Sequence, residues 1–449
     1  MNNEDAFLKN LCDGLVGYEQ IPAEYYEQYN VKRGLRNADG TGVVAGCTKV
    51  CNVHGYLINE GERVAHEGEL TYRGYNVATL IEAYRTEDRF GFEEVAFLLL
   101  FGKLPNKAEL KEFRSIMDVA LDLPEGFTED MVMKAPSRDI MNKLASSVLA
   151  LYGYDDAADD LSLPNVVRQC TELIARIPVI AVEAYQVRRR HFEKKSLFFH
   201  YPQPGLSVAE NILYMLRADR QYTDAEAKLL DLCLILHMEH GGGNNSTFVS
   251  RMLTSTGTDT YSALAGAICS LKGPRHGGAN AKVCAMVDEI AAALGGDRSD
   301  EAIGAYLEKI VRKEAGDGSG LIYGMGHAVY TISDPRAVML RKAAKELAAE
   351  KGMEKEFALI ESIERLAPEV FRKVKGTDKP MCANVDLYSG FVYRMLGIPE
   401  ELFTPLFASA RSVGWSAHRI EELITGNRII RPAYKAVFSK NRYLPPEQR

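Results

Sequence analysis

No run of apolar residues in this 449-residue chain approaches the ~18–20 needed to cross a bilayer. The start, Met1-Asn2-Asn3-Glu4-Asp5, is acidic where a secretory signal is basic, and no apolar signal core follows it. These two absences predict a soluble, unexported protein of the cytoplasm with no membrane partner. A block of basic residues is also missing. The 54 lysines and arginines are outnumbered by 61 acidic residues, the net charge is −7, and the densest cationic run is Arg188-Arg189-Arg190, so nucleic acid is not an expected partner. Of eight cysteines only Cys47 and Cys51 lie close together, and no second pair completes a zinc pattern. Free thiols in a reducing compartment, and no metal, are expected. No internal repeat or low-complexity segment stands out.

Strand patterns are nearly absent too. Short β-like pieces, punctuated by glycine, are confined to Val43–Gly46, Lys49–Val53 and Glu69–Tyr75. They follow an N-terminal arm, residues 1–40, that is polar and acidic with several tyrosines. What fills the rest is helical periodicity. Asn106 with Glu109, Ser207 with Glu210 and Thr223 with Glu226 each have the spacing of a capping box. A long apolar-periodic stretch from Asn165 to Arg190 contains Pro178, which should kink it. Asp334-Pro335 and Thr404-Pro405 place a capping residue before a proline at the first helical position. Strands never alternate with these helices, so a parallel α/β sheet is excluded and the fold class is all-α. At 46% hydrophobic residues the chain can build more than one lobe. Two looser stretches, Gly316–Gly326 and Lys373–Pro380, bound a smaller lobe that moves.

The residues with chemical potential sit where helices end. In Gly273-Pro274-Arg275-His276-Gly277-Gly278 the proline stops one helix, the glycines let the backbone turn, and His276 is left just before the positive end of the next helix at 279–294. That field disfavours imidazolium by roughly 0.3–1 kcal/mol, which suits a neutral histidine that polarises a carbonyl. His240, in His237-Met238-Glu239-His240-Gly241-Gly242, is placed by the pattern in the last turn of a helix, where the negative end favours its charged form and carboxylate binding. His237 and His240 share a helix face at i,i+3, but a zinc pair usually has i,i+4 spacing. His327 is flanked by glycine in Tyr323-Gly324-Met325-Gly326-His327-Ala328-Val329-Tyr330, and Arg336 follows in a first helical turn, where a cation needs a compensating anion. Gly316-x-Gly318-x-Gly320 is not a dinucleotide fingerprint and follows a helix pattern, not a strand. Asp386, in Asn384-Val385-Asp386-Leu387-Tyr388-Ser389-Gly390, reads by itself as a helix cap. Arg411 and Arg431 stand in apolar surroundings, where arginine needs a carboxylate. Arginines of this kind suit a substrate with several carboxylates.

Taken in order, these motifs resemble those of the citrate synthase family: HxxHGGGNNST at 237–247, GPRHGGAN at 273–280, GMGHAVY and DPR within 324–336, NVDLYSG at 384–390, ARSVGWSAH at 410–418 and IIRP at 429–432. The resemblance spans roughly residues 30–435. It implies an all-helical homodimer with a large domain (41–279, with a return at 385–449) and a small mobile domain (280–384) that closes over oxaloacetate before acetyl-CoA binds. Asp386 is then the base that takes a methyl proton from acetyl-CoA, His276 the donor to the thioester oxygen, and His327 the group that polarises the oxaloacetate carbonyl. His240, Arg336, Arg411 and, across the dimer interface, Arg431 hold the carboxylates. Gly324, Met325, Gly326, Ala328 and Asn384 are expected against CoA, which is a substrate and not a cofactor; no cofactor is implied. Three departures stand out. Gly241 replaces a frequent glutamate and should loosen its loop, Ala328 and Thr331 stand where basic residues are common, and Pro432–Lys435 drifts from the usual ending. Without those basic residues the CoA phosphates fall to other cations, with Lys373, Lys375, Lys379 and Arg188 to Arg190 as candidates. Two other readings share the motifs: a 2-methylcitrate synthase using propionyl-CoA, and a catalytically silent helical dimer binding CoA or dicarboxylates. A base facing an acceptor, which a binding module does not need, argues against the second.

Overall fold

The computed structural model describes residues 3–60, 62–376, 380–426 and 428–448; Lys379 lies outside the described residues. The chain divides into two units, Met1–Cys47 with Ile430–Arg449, and Thr48–Ile429. The first unit carries the helices Asn3–Tyr18 and Ala23–Gln28 and is otherwise largely irregular. Its two chain segments meet where the Lys435 ammonium lies 5.1 Å from the centre of the Tyr29 ring. Val43–Gly46 forms no strand, because only the neighbouring Gly42 finds a bridge partner, Arg36.

The second unit is predominantly helical, as the periodicity requires. All three capping boxes form, each with the cap side chain bonded to the third backbone N–H and the glutamate returning to the cap. Its only sheet among the described residues is three-stranded and antiparallel, in the order β1 (Cys51–Asn59), β2 (Glu62–Tyr72), β3 (Tyr75–Asn76). The second strand is thus longer than the Glu69–Tyr75 pattern indicated, because pairing with β1 extends it towards the hairpin turn.

The core is built on two long helices. Leu163–Glu193 runs unbroken through Pro178, where Ile174, Ile177, Ile180 and Ala181 are all buried, so packing on this segment outweighs the backbone hydrogen bond that proline removes. Phe403–Thr425 packs against that helix and against Asn245–Thr254, Thr260–Lys272 and Asp224–His237. It is buried on every face from Phe403 to Glu421 except Thr404, with Arg411, His418 and Arg419 enclosed. Thr404 does not cap it. A short 3-10 turn, Glu400–Leu402, leads into the helix two residues earlier, with Leu402 at the cap position, and the freed Thr404 hydroxyl donates to the Gly277 carbonyl at 2.9 Å. The histidine-bearing break is thereby fastened to the central helix. Asp334 does cap its helix, Pro335–Glu350, by accepting from the Arg336 N–H. Lys373 and Lys375 lie in the last turn of the helix Glu354–Lys375, which ends inside the stretch Lys373–Pro380.

Candidate active site

His276 occupies the break between Thr260–Lys272 and Ala279–Leu294. The Ser246 N–H donates to His276 Nε2 at 3.3 Å, and the Ser246 hydroxyl lies 3.1 Å from the same nitrogen. Since Nε2 accepts, the proton of the neutral ring is on Nδ1. Ser246 is itself fixed by Trp415 Nε1–H, which donates to its hydroxyl at 3.1 Å. Burial, with Arg411 adding to it, pushes the His276 pKa down to about 4, so the ring is neutral at physiological pH. Neutrality was expected from the helix end; the larger cause is desolvation.

His327 lies in the irregular segment between the helices Asp300–Val311 and Pro335–Glu350. The Val329 and Tyr330 N–H groups both donate to its Nδ1 at 3.0 Å, which leaves the proton on Nε2. This segment is zipped to the strand-like residues before Asp386. Gly326 N–H donates to the Cys382 carbonyl at 2.7 Å, Asn384 N–H to Gly324 at 2.8 Å and Asn384 Nδ2 to Gly326 at 2.9 Å, with Met325 bridged to Ala383. Gly324 has φ of +82°, and a Cβ there would lie 2.9 Å from Leu387 Cα, so only glycine lets the histidine segment lie against the helix Asp386–Met395. Asp386 is the first residue of that helix and not its cap. Asn384 Oδ1 accepts from the Asp386 N–H, and Asp386 leaves its own carboxylate uninvolved in capping. Burial pushes the Asp386 pKa up to about 6, Arg336 and Arg411 pulling it down and Asp334 adding to the rise.

His240, Tyr330 and His327 form a ring cluster. The His240 and His327 centroids are 5.0 Å apart and edge-on, His327 stacks on Tyr330 at 4.6 Å, and His240 Nε2 is 3.3 Å from the Tyr330 hydroxyl. The helix Asp224–His237 stops three residues short of His240, which therefore feels no last-turn field. Burial first, then the electrostatic influence of Arg336, His327 and Arg411, holds its pKa well below the ordinary value, and the expected charged His240 is corrected to a neutral one. His237 and His240 also diverge. His237 packs against Phe407 at 4.4 Å, while His240 faces Tyr330, so they do not point at one centre.

The two arginines differ. Arg336 is buried and makes a bidentate pair with Asp334, Nε to Oδ1 at 3.0 Å and Nη2 to Oδ2 at 2.7 Å; this is the compensating anion that its first-turn position called for. Arg411 is buried with Nε donating to the His237 carbonyl at 2.7 Å, and its Nη1 has no hydrogen-bond partner. Burial lowers its pKa, and Glu239 is the anion that most offsets this. Glu239 is the residue that the sequence reading missed. It is fully buried, accepts from His418 Nε2 at 3.0 Å and from Gly241 N–H at 2.5 Å, and His418 Nδ1 accepts from Arg251 Nε at 3.0 Å. Burial pushes the Glu239 carboxyl up, but His418 and Arg411 outweigh it and hold it below the ordinary value. The Gly241 loop is accordingly tied down by Glu239 and not loosened by the loss of a side chain. An acidic residue between two histidines at a helix end was the available signal. Arg431 lies in the first unit, exposed in a stretch without regular secondary structure. Among the cations suggested for phosphates, Arg188 pairs with Glu193 and with Glu401 (3.0 Å), and Lys373 pairs with Glu308.

A neutral donor, a second neutral histidine with its N–H fixed, a carboxylate of raised pKa and a buried guanidinium with an open N–H are the kinds of group that proton abstraction next to a carbonyl in a carboxylate-bearing molecule requires. Comparison with known proteins agrees. The family model for the citrate synthase C-terminal domain matches residues 38–433. A curated citrate synthase of Acidithiobacillus ferridurans is 36% identical over 417 residues, 91% of this chain and 97% of that one. The crystal structure of the citrate synthase of Pyrobaculum aerophilum is similar at a TM-score of 0.73 and 31% identity, covering 91% of this chain and 94% of its own. A citrate synthase of Thermoplasma acidophilum, solved in ternary complex with carboxymethyl-CoA and oxaloacetate, matches at a TM-score of 0.75 and 26% identity over 93% of this chain and 99% of its own.

Proposed function

The chain belongs to the citrate synthase family, and from that premise we propose how its residues divide the reaction. The enzyme is an acyltransferase that condenses acetyl-CoA with oxaloacetate and hydrolyses citryl-CoA to citrate and CoA. The observation that carries the assignment of roles is Arg411, a buried guanidinium whose Nη1 has no partner and which acts electrostatically on His276, His240 and Asp386 alike. A buried unpaired donor costs about 1–3 kcal/mol, and one carboxylate of oxaloacetate would recover that. Arg336, already satisfied by Asp334, offers its remaining N–H groups and charge to the same dianion, with neutral His240 as a further donor.

His327, with its proton on Nε2, polarises the ketone of oxaloacetate. Asp386 removes a methyl proton from acetyl-CoA while His276 donates from Nδ1 to the thioester oxygen. A carbon acid ~15 pKa units weaker than its base sets a barrier of about 20 kcal/mol at 1.36 kcal/mol per unit. Proximity supplies roughly 7–11 kcal/mol. An oxyanion donor adds about 2.7–4 kcal/mol, and raising Asp386 from 3.8 to about 6 narrows the gap by about 3 kcal/mol. Gly324, Met325, Gly326, Ala328 and Asn384 would line the CoA side of this segment.

The functional unit is a homodimer in which the partner subunit's Arg431 reaches the oxaloacetate carboxylates. Support comes from the stretch around that arginine, where Tyr434, Phe438 and Tyr443 stand exposed. Residues 280–384 form the smaller lobe that closes over oxaloacetate. The cytoplasm is the proposed compartment, consistent with eight free cysteines and with no helix among the described residues long and apolar enough to cross a membrane.

Initial rates of free-thiol release with oxaloacetate and matched acetyl-CoA or propionyl-CoA test this reading. Acetyl-CoA should be turned over faster; a preference for propionyl-CoA, or no thiol release from either, would overturn it.

A further inference from the structure

The hairpin β1–β2 breaks register between His54 and Tyr56. His54 pairs with Glu69 and Tyr56 with Ala65, so one residue of β1, Gly55, faces three of β2, His66 to Gly68. A bulge of this kind releases backbone groups from the ladder, and the released groups are used. The Gly55 carbonyl accepts from the Thr331 hydroxyl at 2.8 Å, and the Gly68 N–H donates to the Ser333 hydroxyl at 3.2 Å; Ser333 in turn donates to the Glu67 carboxylate. The approach is as close as backbone allows. A Cβ on Gly55 would lie 2.8 Å from Tyr330 Cα and 2.9 Å from the Val329 carbonyl oxygen, and a Cβ on Gly68 would lie 2.8 Å from the Tyr330 ring and 2.9 Å from Pro335 Cδ. Val329 and Tyr330 are the residues whose N–H groups hold His327 Nδ1.

We propose that the bulged hairpin is a positioning element for His327: through Gly55, Gly68, Thr331 and Ser333 it fixes the segment whose amides keep the His327 proton on Nε2. The inference rests on the role given to His327 above, but concerns how the ring is held. An imidazole has two neutral tautomers, and only the one with Nε2–H meets the ketone as a donor while two amides occupy Nδ1. If the segment moves by a fraction of an ångström those amides are misaligned, the tautomers mix, and the fraction of enzyme able to polarise the ketone falls. Thr331 thereby has a structural use in place of the cation common at this position.

The test uses the full-length enzyme labelled with 15N-histidine, with His327→Gln to assign the His327 resonances. Wild type should show one tautomer at His327, protonated on Nε2. Thr331→Val, which adds no bulk and removes the donor, should populate the second tautomer and lower kcat about fivefold, the worth of one neutral hydrogen bond. The Michaelis constant for acetyl-CoA should not change, and Thr331→Ser should restore both signals. Gly55→Ala should lower kcat by on the order of a hundredfold, the usual consequence of a misplacement near 1 Å. If Gly55→Ala does not fold, Thr331→Val carries the test alone. A single Nε2–H tautomer and wild-type kcat in Thr331→Val, with only the melting temperature reduced, would show the hairpin to be scaffold and overturn the proposal. Full activity in His327→Gln would instead refute the role of His327 and leave the tautomer measurement to decide the positioning claim.

Discussion

Replacing Asp386 by asparagine should remove turnover and at the same time make the protein more stable. The carboxylate has an ordinary pKa of 3.8 in the unfolded chain and about 6 in the fold, because burial disfavours its charge. The folded state therefore binds the proton more tightly, and stability falls as pH rises from about 4 to about 6. Above that window the full cost is present, about 3 kcal/mol at 1.36 kcal/mol per pKa unit. Asparagine has no charge to desolvate. It forfeits the roughly 0.3–1 kcal/mol that an anion gains at a helix N-terminus, which leaves a net gain of about 2–3 kcal/mol near pH 8. For a chain of 449 residues at about 2.1 cal/mol/K per residue this is a rise in melting temperature of about 2–3 °C. The gain should vanish by about pH 4. Turnover should fall by about 10²–10⁴-fold, the range for a general base. In the wild type, kcat/KM for acetyl-CoA should decline below about pH 6, and about one-tenth of the sites should remain ionised at pH 5 if oxaloacetate leaves the pKa unchanged. Bound oxaloacetate adds negative charge and offsets Arg336 and Arg411, so the limb measured at saturating oxaloacetate should lie no lower than that of the free enzyme. His276, which gains its proton only near pH 4, does not account for a limb near 6. Thermal melts and pH–rate profiles of both proteins make the check. An asparagine variant with wild-type turnover, or one less stable at pH 8 than at pH 5 relative to wild type, would refute the reasoning.

Arg411→Leu should raise the Michaelis constant for oxaloacetate by about 30-fold or more, since removing one partner of a buried charge pair costs about 2–5 kcal/mol; initial rates at varied oxaloacetate decide it. Arg411→Lys should not rescue it, because an ammonium cannot both donate to the His237 carbonyl and present a planar fork. Asp386→Ala and Arg431→Ala, each inactive as a homodimer, should regain about a quarter of wild-type sites when unfolded and refolded together, because about half of the dimers are mixed and each mixed dimer has one intact site. Mixed dimers confirmed by mass but inactive would place Arg431 in service of its own chain.

Much of the site is written in short stretches of chain. The capping boxes at Asn106, Ser207 and Thr223 formed as their spacing dictates, because a cap involves groups three residues apart and little else decides it. The break at 273–278 and the helix after it were readable for the same reason, since proline and glycine act on their own backbone. The anion required by Arg336 proved to be Asp334, two residues away. Local signals failed where a neighbour distant in sequence competes. Thr404 has the sequence of a cap, but the central helix begins earlier and its hydroxyl serves Gly277, 127 residues away.

The sequence by itself determined an all-helical chain, the residues able to do acid–base and carboxylate chemistry, and the family. The tertiary structure decided their charge states and their supports. Nothing local to His240 tells that burial and two arginines leave it neutral, and nothing local to Asp386 tells that its base strength comes from desolvation. The pairing of Gly55 with Thr331 joins residues 276 apart, and the Glu239–His418 contact joins residues 179 apart. Helix and cap signals reach only about four residues along the chain. Desolvation depends on which segments pack around a group, and so it is settled only once the chain has folded.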